Sequence, residues 1–330
     1  MPIDERPETP PADLLDRARI AMAMKLSLGA GSLSWRVGQR MDRKRSTLFP
    51  LTLVSLSSGP VATAFYKSPY FTVERQGSRN LERARAAILS SETLGSKFAE
   101  ATAESAIAIN ETLALDPNTL ETVTFGLEGQ PLGNPLRLAF TRARRAEAVE
   151  TCRRIGYAIR TLEGLPAPDP ATGLERIWQE TERKLVAVSP LLPDDERREL
   201  ERSLTGLFES ATSEPGGITL AHGDLSPDNV IVMKGRTGLI DFTWIPQLRG
   251  FDLSRFLHRL HYTTPSYRPW TSALSEAVLE GYGDPDAPSR PGWRFSDMQA
   301  LLGTVQHLER KGEGGRRSAG RALDEIRAGL

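Results

Sequence analysis

The sequence has few cysteines and no excess of charge of either sign. Cys152 is the only cysteine, which excludes an internal disulfide framework, and the lack of a CxxC pair or a histidine cluster gives no indication of zinc. Lys and Arg together number 42, as do Asp and Glu, so no overall field attracts nucleic acid or an anionic membrane. We therefore predict neither a nucleic-acid partner nor a membrane partner.

Long apolar runs are also missing. No stretch of about eighteen residues or more is both apolar and uncharged, so we expect no membrane-spanning helix. The first residues are acidic and proline-rich, and Lys25 interrupts the apolar stretch at residues 20–28, which argues against a secretory signal. Together with the single cysteine, these features predict a cytoplasmic protein in a reducing compartment.

The most informative pattern is a group of polar residues around two short apolar runs. The segment His222-Gly-Asp-Leu-Ser-Pro-Asp-Asn is followed by an apolar run at residues 230–233, a short turn, and a second apolar run that ends at Asp241. This alternation predicts a β-hairpin. Because a tight hairpin returns the chain to its starting level, Asn229 at its entrance and Asp241 at its exit could bind one cation.

The interval from Asp224 to Asn229 equals that between the catalytic Asp and the metal-binding Asn of protein kinases. We interpret Asp224 as a catalytic base, and Asn229 and Asp241 as ligands of Mg²⁺, which takes few protein oxygens beside the substrate phosphates. The alternative is that Asp228 and its neighbours are ordinary turn formers between two buried strands. The joint placement of three polar residues favours the catalytic interpretation.

These residues resemble those of the aminoglycoside phosphotransferase and choline kinase-like family. A typical member reads HGDLHPGNVLV, then IDF or IDW, then a D-L-A-like segment, where this chain has Ile240-Asp-Phe242 and Phe251-Asp-Leu-Ser254. The resemblance implies an α+β, bilobal protein kinase-like fold with a small sheet-rich N-lobe and a larger helical C-lobe. It also implies that Asp252 is a buried carboxylate that braces the catalytic loop. We expect His222 to have a hydrogen-bonded structural role.

A chain of 330 residues is too long for one ordinary core and suits two lobes. By resemblance, residues 125–129 join the lobes, and the backbone at Phe125 and Leu127 contacts the adenine of a nucleotide. The predicted domains are an N-terminal tail and helix (1–34), a nucleotide-binding N-lobe (35–129) and a C-lobe with the catalytic loop and the acceptor site (130–330).

A lysine at the end of a predicted strand is the candidate phosphate ligand. The alternating run at residues 61–67 ends in Lys67, which fits the kinase lysine that pairs with phosphates and with an acid on the next helix. Glu82 is the better candidate for that acid and Glu92 the second. Alternatively, Lys67 is a solvated charge at a strand end, and Glu82 is a surface partner of nearby arginines.

The segment that would cover the phosphates, residues 37–49, departs from the kinase pattern because it has one glycine followed by four cations. The hydroxyls of Ser46 and Thr47, with the charged side chains, could replace some backbone contacts to phosphate. The alternative is an exposed, solvated hairpin tip.

The predicted reaction is ATP- and Mg²⁺-dependent transfer of the γ-phosphate to a hydroxyl group of a small molecule. By resemblance, the helices after Asp241 contact this acceptor, and basic and acidic residues alternate there. A sugar, a glycoside or a metabolite alcohol is therefore favoured over a polycationic antibiotic. The alternatives are an aminoglycoside or other antibiotic phosphotransferase and, because the glycine loop is degenerate, a non-catalytic nucleotide-binding scaffold. Gly223 in place of the kinase arginine disfavours a protein substrate.

Apolar periodicity predicts several helices. Residues 12–26 should form an amphipathic helix with Leu14, Leu15, Ala18 and Met22 on one face. Further helices are expected over residues 175–208, with a break at 190–194, and over 253–260 and 271–282. The Gly- and Arg-rich residues 310–321 predict a link before a final helix.

Overall fold

The structure, a computed structural model, describes residues 7–42, 46–69, 88–91, 93–133, 142–262, 268–309 and 313–329. The chain divides into two compact units. The first unit takes its described residues from Met1–Glu100, Ala108–Gly129 and Gly238–Ile240, and the second from Ala101–Ile107, Gln130–Thr237 and Asp241–Leu330.

The first unit is built from an antiparallel sheet and helix α1 (Ala12–Lys25). The sheet has the strand order β1-β3-β4-β7-β6, with β2 paired to β3, and β5 belongs to another sheet. The strands in chain order are β1 (Leu33–Val37), β2 (Met41–Asp42), β3 (Ser46–Ser55), β4 (Gly59–Pro69), β5 (Ile107–Ile109), β6 (Thr112–Leu115) and β7 (Thr122–Phe125).

The core of this unit lies between α1 and the sheet. Leu14, Ala18 and Met22 are buried in one cluster with strand residues such as Leu51 and Tyr66. The spacing of these three helical residues places them on one face, as predicted. Residues 88–91 and 93–101 are also helical.

The second unit is mostly helical. Its helices are α2 (Arg142–Glu163), α3 (Pro170–Val188), α4 (Asp194–Ser213), α5 (Phe251–Tyr262), α6 (Arg268–Tyr282), α7 (Pro291–Glu309) and α8 (Glu313–Ala328). The remaining strands are β8 (Gln130–Pro131), β9 (Ile218–Ala221), β10 (Val230–Met233), β11 (Arg236–Leu239) and β12 (Ile245–Leu248). β12 and β9 form an antiparallel pair, and a second sheet has the order β5-β11-β10-β8, in which β5 and β11 contribute residues to both units.

Close helix packing in this unit depends on glycine. A Cβ atom at Gly156 of α2 would lie 2.0 Å from the carbonyl oxygen of Val278, and one at Gly281 of α6 would lie 1.8 Å from that of Arg153. Two nonbonded heavy atoms cannot lie this close together. The two helices therefore approach each other this closely only because both positions lack a side chain. Glu163 and Tyr282 are the last residues of these two helices.

Most predicted helices are confirmed, but the predicted link is wrong over most of its length. The break at residues 190–194 is present, since α3 ends at Val188 and α4 begins at Asp194. The expected link at 310–321 is instead largely helical, because α8 begins at Glu313. Ala322 and Ile326 of α8 are fully buried against α3, α4 and α7, and this apolar face stabilises the helix despite its glycines. No helix in the described part of the chain is long and apolar enough to cross a membrane.

Candidate active site

The loop that follows β9 carries the predicted base, and a buried carboxylate holds its backbone. Asp252, near the start of α5, accepts the N–H groups of His222 at 2.5 Å and Gly223 at 3.0 Å. Burial raises the pKa of Asp252, although His222 and the two backbone donors act to lower it. The bracing role predicted for Asp252 is confirmed.

The glycine in this loop is required by conformation and by space. Gly223 has φ +83°, and a Cβ atom there would lie 2.0 Å from Oγ1 of Thr243. Thr243 donates to the carbonyl oxygen of His222 from both its backbone N–H and its hydroxyl, each at 2.8 Å. The loop with Asp224 and the segment that follows Asp241 are therefore fastened directly to each other.

Three stacked rings strengthen the same connection. The imidazole of His222 stacks on Phe242 at a centroid distance of 4.2 Å, and Phe242 stacks on Trp244 at 4.3 Å. His222 is fully buried, and its Nδ1 accepts the N–H of Asp224 at 3.3 Å. The expected structural role of His222 is thus confirmed.

Of the three residues predicted to act as base or metal ligands, Asp224 and Asn229 are joined by a hydrogen bond. Asn229 ends the short helical turn Pro227–Asn229, and its side-chain Nδ2 donates to the carbonyl oxygen of Asp224 at 2.8 Å. Since the amide nitrogen is used in this way, Oδ1 is the atom that can bind a cation. The β10–β11 hairpin that follows is as predicted.

Asp241 lies two residues beyond β11, with an exposed side chain and a left-handed backbone at φ 60°. This conformation is uncommon for residues other than glycine, although Asp tolerates it better than most. Backbone strain of this kind concentrates at functional sites. Thr243 ties Asp241 to the catalytic loop through its two bonds to His222.

The structure adds a residue that sequence reasoning missed. Nη2 of Arg255 on α5 lies 2.5 Å from Oδ1 of Asp224, and the side chains are 26% and 50% exposed respectively. Only a partial signal was available, because Arg255 follows Asp252 by three residues and so lies on the same helix face, but Arg259 at seven residues shares that face. The ion pair orients the Asp224 carboxylate but leaves half of it open to a substrate.

The predicted nucleotide residues lie in the first unit. Lys67 is half-buried in β4, where it pairs with Leu48 of β3 and Thr122 of β7, so it belongs to an internal strand of the sheet. Its proposed partners, Glu82 and Glu92, lie outside the described residues.

Among the described residues of the segment predicted to cover the phosphates, residues 37–39 and Asp42 are exposed, whereas those at the start of β3 are packed. Ser46 and Thr47 are both buried at the start of β3, and the hydroxyl of Thr47 donates to Asp42 at 2.9 Å. The exposed alternative therefore does not hold for these two residues. A phosphate contact from Ser46 stays a prediction.

Backbone donors at the predicted adenine segment are partly in use. The N–H of Phe125 donates to the carbonyl oxygen of Glu111, and that of Gly126 donates to Thr63, both at 2.8 Å. An adenine would therefore need other groups of this segment, such as the backbone of Leu127, which is half-buried.

The oxygen donors of Asn229 and Asp241 fit a small divalent cation that takes most of its ligands from water and phosphate. Among the described residues, no three His, Cys, Asp or Glu side chains lie together as a metal site of their own. Asn229 and Asp241 supply one amide oxygen and one carboxylate, and Mg²⁺ takes few protein ligands because waters and phosphate oxygens complete its shell. The residues present thus fit Mg²⁺ bound together with a nucleotide.

The APH phosphotransferase enzyme family model matches residues 97–296, which is more than half of the chain and includes Asp224, Asn229 and Asp241. The chain belongs to this family. The match confirms the predicted family and enzyme class, a phosphotransferase that acts on small molecules. Curated protein sequences include no significant match to this APH-family chain.

Solved structures with a similar fold match nearly the whole length of this APH-family chain. A choline kinase from Cryptosporidium parvum shares 11% identity with a TM-score of 0.53, and 94% of each chain is covered. A choline/ethanolamine kinase family protein from Mesorhizobium loti shares 17% identity, with 96% of this chain and 94% of that chain covered and a TM-score of 0.53. A thermostable mutant of aminoglycoside phosphotransferase APH(4)-Ia, in complex with ADP and hygromycin B, shares 12% identity, with coverages of 94% and 98% and a TM-score of 0.56. At such identities the likeness shows the fold, which confirms the predicted α+β, protein kinase-like fold.

Proposed function

We propose that this APH-family enzyme transfers the γ-phosphate of ATP to a hydroxyl group of a small molecule, with Mg²⁺ as the metal. The observation that carries the proposal is the half-exposed Asp224 carboxylate on a loop whose position is fixed by Asp252, by Asn229 and by Thr243. A base held in this way suits a reaction in which positioning supplies most of the acceleration.

Four residues of the second unit have defined roles in this proposal. Asp224 orients the acceptor hydroxyl and receives its proton as the new P–O bond forms. Asn229 Oδ1 and the Asp241 carboxylate would hold Mg²⁺, which when bound neutralises phosphate charge. Arg255 keeps the Asp224 carboxylate in one orientation.

The first unit supplies the nucleotide contacts in the same proposal. Lys67 binds the α- and β-phosphates, with Glu82 as its acidic partner. Ser46 contributes to the phosphate-covering segment, and the backbone at Phe125 and Leu127 contacts the adenine.

For the acceptor, we propose a sugar, a glycoside or a metabolite alcohol before a polycationic antibiotic. The guanidinium beside Asp224 supports this choice, because it repels an acceptor whose hydroxyl is flanked by ammonium groups. An antibiotic acceptor is the alternative, and hygromycin B in the APH(4)-Ia complex is a reason to include such compounds in any screen.

The test is a screen of hydroxyl compounds grouped by charge, with ADP release and ³¹P NMR of the products. Asp224→Ala should lower turnover about 10²- to 10⁴-fold, the usual contribution of a general base, while Mg-ATP still binds. The matched control is Asp324→Asn, a change to an exposed carboxylate on α8, which should leave turnover unchanged. Full phosphotransfer by Asp224→Ala would show that another group is the base.

A non-catalytic nucleotide-binding scaffold is distinguished by comparing binding with turnover. Calorimetric titration with Mg-ATP measures binding directly. Tight binding without transfer to any compound of a broad hydroxyl panel would contradict the proposed enzyme activity and favour the scaffold.

A further inference from the structure

Phe125 ends β7 and begins the segment predicted to contact the adenine. Its N–H donates to the carbonyl oxygen of Glu111, and the N–H of Gly126 donates to that of Thr63, both at 2.8 Å. A Cβ atom at Gly126 would lie 2.4 Å from Oγ1 of Thr63, so the chain leaves the strand in close contact with β4. The start of this segment is therefore held by neighbours on both sides of β7.

The side chain of Phe125 lies on the face of the sheet that packs against α1. Phe125 pairs with Ala64 of β4, and directly opposite residues share a face. Ala64 is fully buried in the cluster between α1 and the sheet, and Phe125 packs against that cluster. Lys67, the predicted phosphate ligand, follows Ala64 by three residues on the same strand and so lies on the other face. A group that contacts the Phe125 ring from α1 therefore lies on the side of the sheet away from Lys67.

Lys25, the last residue of α1, makes two contacts at this point. Its Nζ lies 2.6 Å from Oε2 of Glu111 and 5.3 Å from the centroid of the Phe125 ring. An ammonium group at that distance is attracted by the ring. The side chains of Lys25 and Glu111 are 35% and 46% exposed, so as an isolated ion pair they would contribute little to stability. Both contacts converge on Phe125, because one reaches its ring and the other reaches the residue that accepts its N–H.

We propose that Lys25 is a positioning residue for the nucleotide, which holds Phe125 and the segment after it in the conformation that binds the adenine. This inference rests on the proposed function, because it takes residues 125–129 to contact the base. Since Lys25 lies on the α1 side of the sheet, it acts through Phe125 and not by contact with the nucleotide.

The expected effect of Lys25 is on nucleotide affinity. When the conformation that binds a ligand is only partly populated, the apparent affinity falls by that fraction. Without the ammonium group, Phe125 keeps its backbone bond to Glu111 but loses the contact on its ring, and the Glu111 carboxylate loses its partner. The segment then spends more time in conformations that do not bind the base.

Substitution of Lys25 tests the proposal. Lys25→Met removes the charge and keeps an unbranched side chain beside the ring. Calorimetric titration of the full chain with Mg-ADP should show an affinity about three- to tenfold lower than that of the wild type, at an unchanged number of sites per chain. A purely structural defect would instead lower the number of sites. Lys25→Arg keeps the charge and should retain most of the affinity.

The matched control removes another cation from the same helix. Arg17 is 50% exposed and donates to the carbonyl oxygen of Leu115, at the other end of β6 from Glu111. Arg17→Met should therefore leave the affinity for Mg-ADP unchanged.

Hydrogen exchange measured by mass spectrometry gives a readout without nucleotide. Peptides that contain the amides of residues 125–127 should exchange about three- to tenfold faster in Lys25→Met than in the wild type or in Arg17→Met, because local opening of this segment becomes more frequent.

Four results would each overturn the inference: wild-type affinity in Lys25→Met, an equal loss in Arg17→Met, a Lys25→Arg variant as weak as Lys25→Met, or unchanged exchange at residues 125–127. A wild-type chain that does not bind Mg-ADP would overturn both the inference and the proposed function. Loss of Mg-ADP affinity in Lys25→Met together with no phosphotransfer in the charge-grouped screen would reject the proposed activity and keep the role of Lys25.

Discussion

Glu163 is a buried carboxylate whose ionisation should make this enzyme less stable as the pH rises. It ends α2, accepts the N–H of Gly250 at 2.7 Å and accepts the hydroxyl of Tyr282. Burial raises its pKa from the ordinary 4.5 to about 7, although Tyr282, Gly250 and Arg249 act to lower it. The folded chain therefore binds this proton more tightly than the unfolded chain does.

The direction and size of the effect follow from linkage. Below about pH 4.5 the carboxyl is protonated in both states, and above about pH 7 the folded state must hold a buried negative charge. Because one pKa unit corresponds to about 1.4 kcal/mol, the interval from 4.5 to about 7 corresponds to about 3 kcal/mol of stability. This stability is fully present below pH 4.5 and is lost as the pH rises through 7.

Glu163→Gln removes the charge while keeping the shape. The glutamine carbonyl can still accept from Gly250, and its amide can donate to the Tyr282 oxygen, as a protonated carboxyl would. We expect the variant to match the wild type below about pH 4.5, to be slightly more stable already at pH 5, and to be more stable by about 3 kcal/mol at pH 8. A difference of that size moves the thermal midpoint of a domain by several degrees.

The assay is urea unfolding of the full chain at half-unit pH steps from 5 to 8, with circular dichroism and tryptophan fluorescence as probes. Glu199→Gln is the control, because Glu199 is a partly exposed surface residue paired with Arg202. A difference between wild type and Glu163→Gln that stays constant from pH 5 to pH 8 would refute the reasoning, as would a variant that is less stable at pH 8.

Further changes test the loops that hold the site. Gly223→Ala should destabilise the fold by about 2 kcal/mol or more, because it adds a clash with Thr243 to the strain of positive φ. Gly235→Ala, with φ +70° and open space around it, should cost about 1 kcal/mol. Urea unfolding of both variants isolates the cost of the clash, and equal losses of stability would show that the clash relaxes. Thr243→Val keeps the shape and removes one hydrogen bond to His222, so it should cost about 1 kcal/mol by the same measurement, and no loss would mean that the backbone bond suffices. Asp241→Asn preserves tolerance of the left-handed backbone, so calorimetry should show weaker Mg-ADP binding at an unchanged thermal midpoint, and wild-type affinity would argue against Asp241 as a metal ligand.

Local features of this fold could be predicted from sequence because each depends on neighbouring residues. The β10–β11 hairpin follows from two apolar runs around Gly235, and α1 follows from Leu14, Ala18 and Met22 at helical spacing. The link before α8 was predicted wrongly because its structure depends on residues that are distant in the sequence. Its glycines suggest a break, but burial of Ile326 and its neighbours against other helices decides the outcome.

Contacts between distant parts of the chain were only partly predictable. The spacing of Asp224 and Asn229 is local in the sequence, so the pattern alone could propose them as site residues, and their roles stay predictions. The bond between Arg255 and Asp224 joins residues 31 apart, and no local pattern specifies which arginine of a mixed-charge helix faces the loop. The same applies to Glu163, whose partner Tyr282 is 119 residues away.

Helix α5 connects these observations, because contacts at or just before its start reach Glu163, the loop that follows β9 and the side chain of Asp224. Gly250, directly before α5, donates to Glu163, Asp252 holds the backbone of the catalytic loop, and Arg255 holds the side chain of Asp224. Asp252 and Arg255 lie on one helix and Gly250 directly precedes it, so a shift at the first turn moves both the loop backbone and the carboxylate. If this coupling contributes to catalysis, Glu163→Gln should change the dependence of kcat on pH between 6 and 8 as well as the stability. A variant with altered stability and an unaltered kcat profile would instead confine Glu163 to the fold.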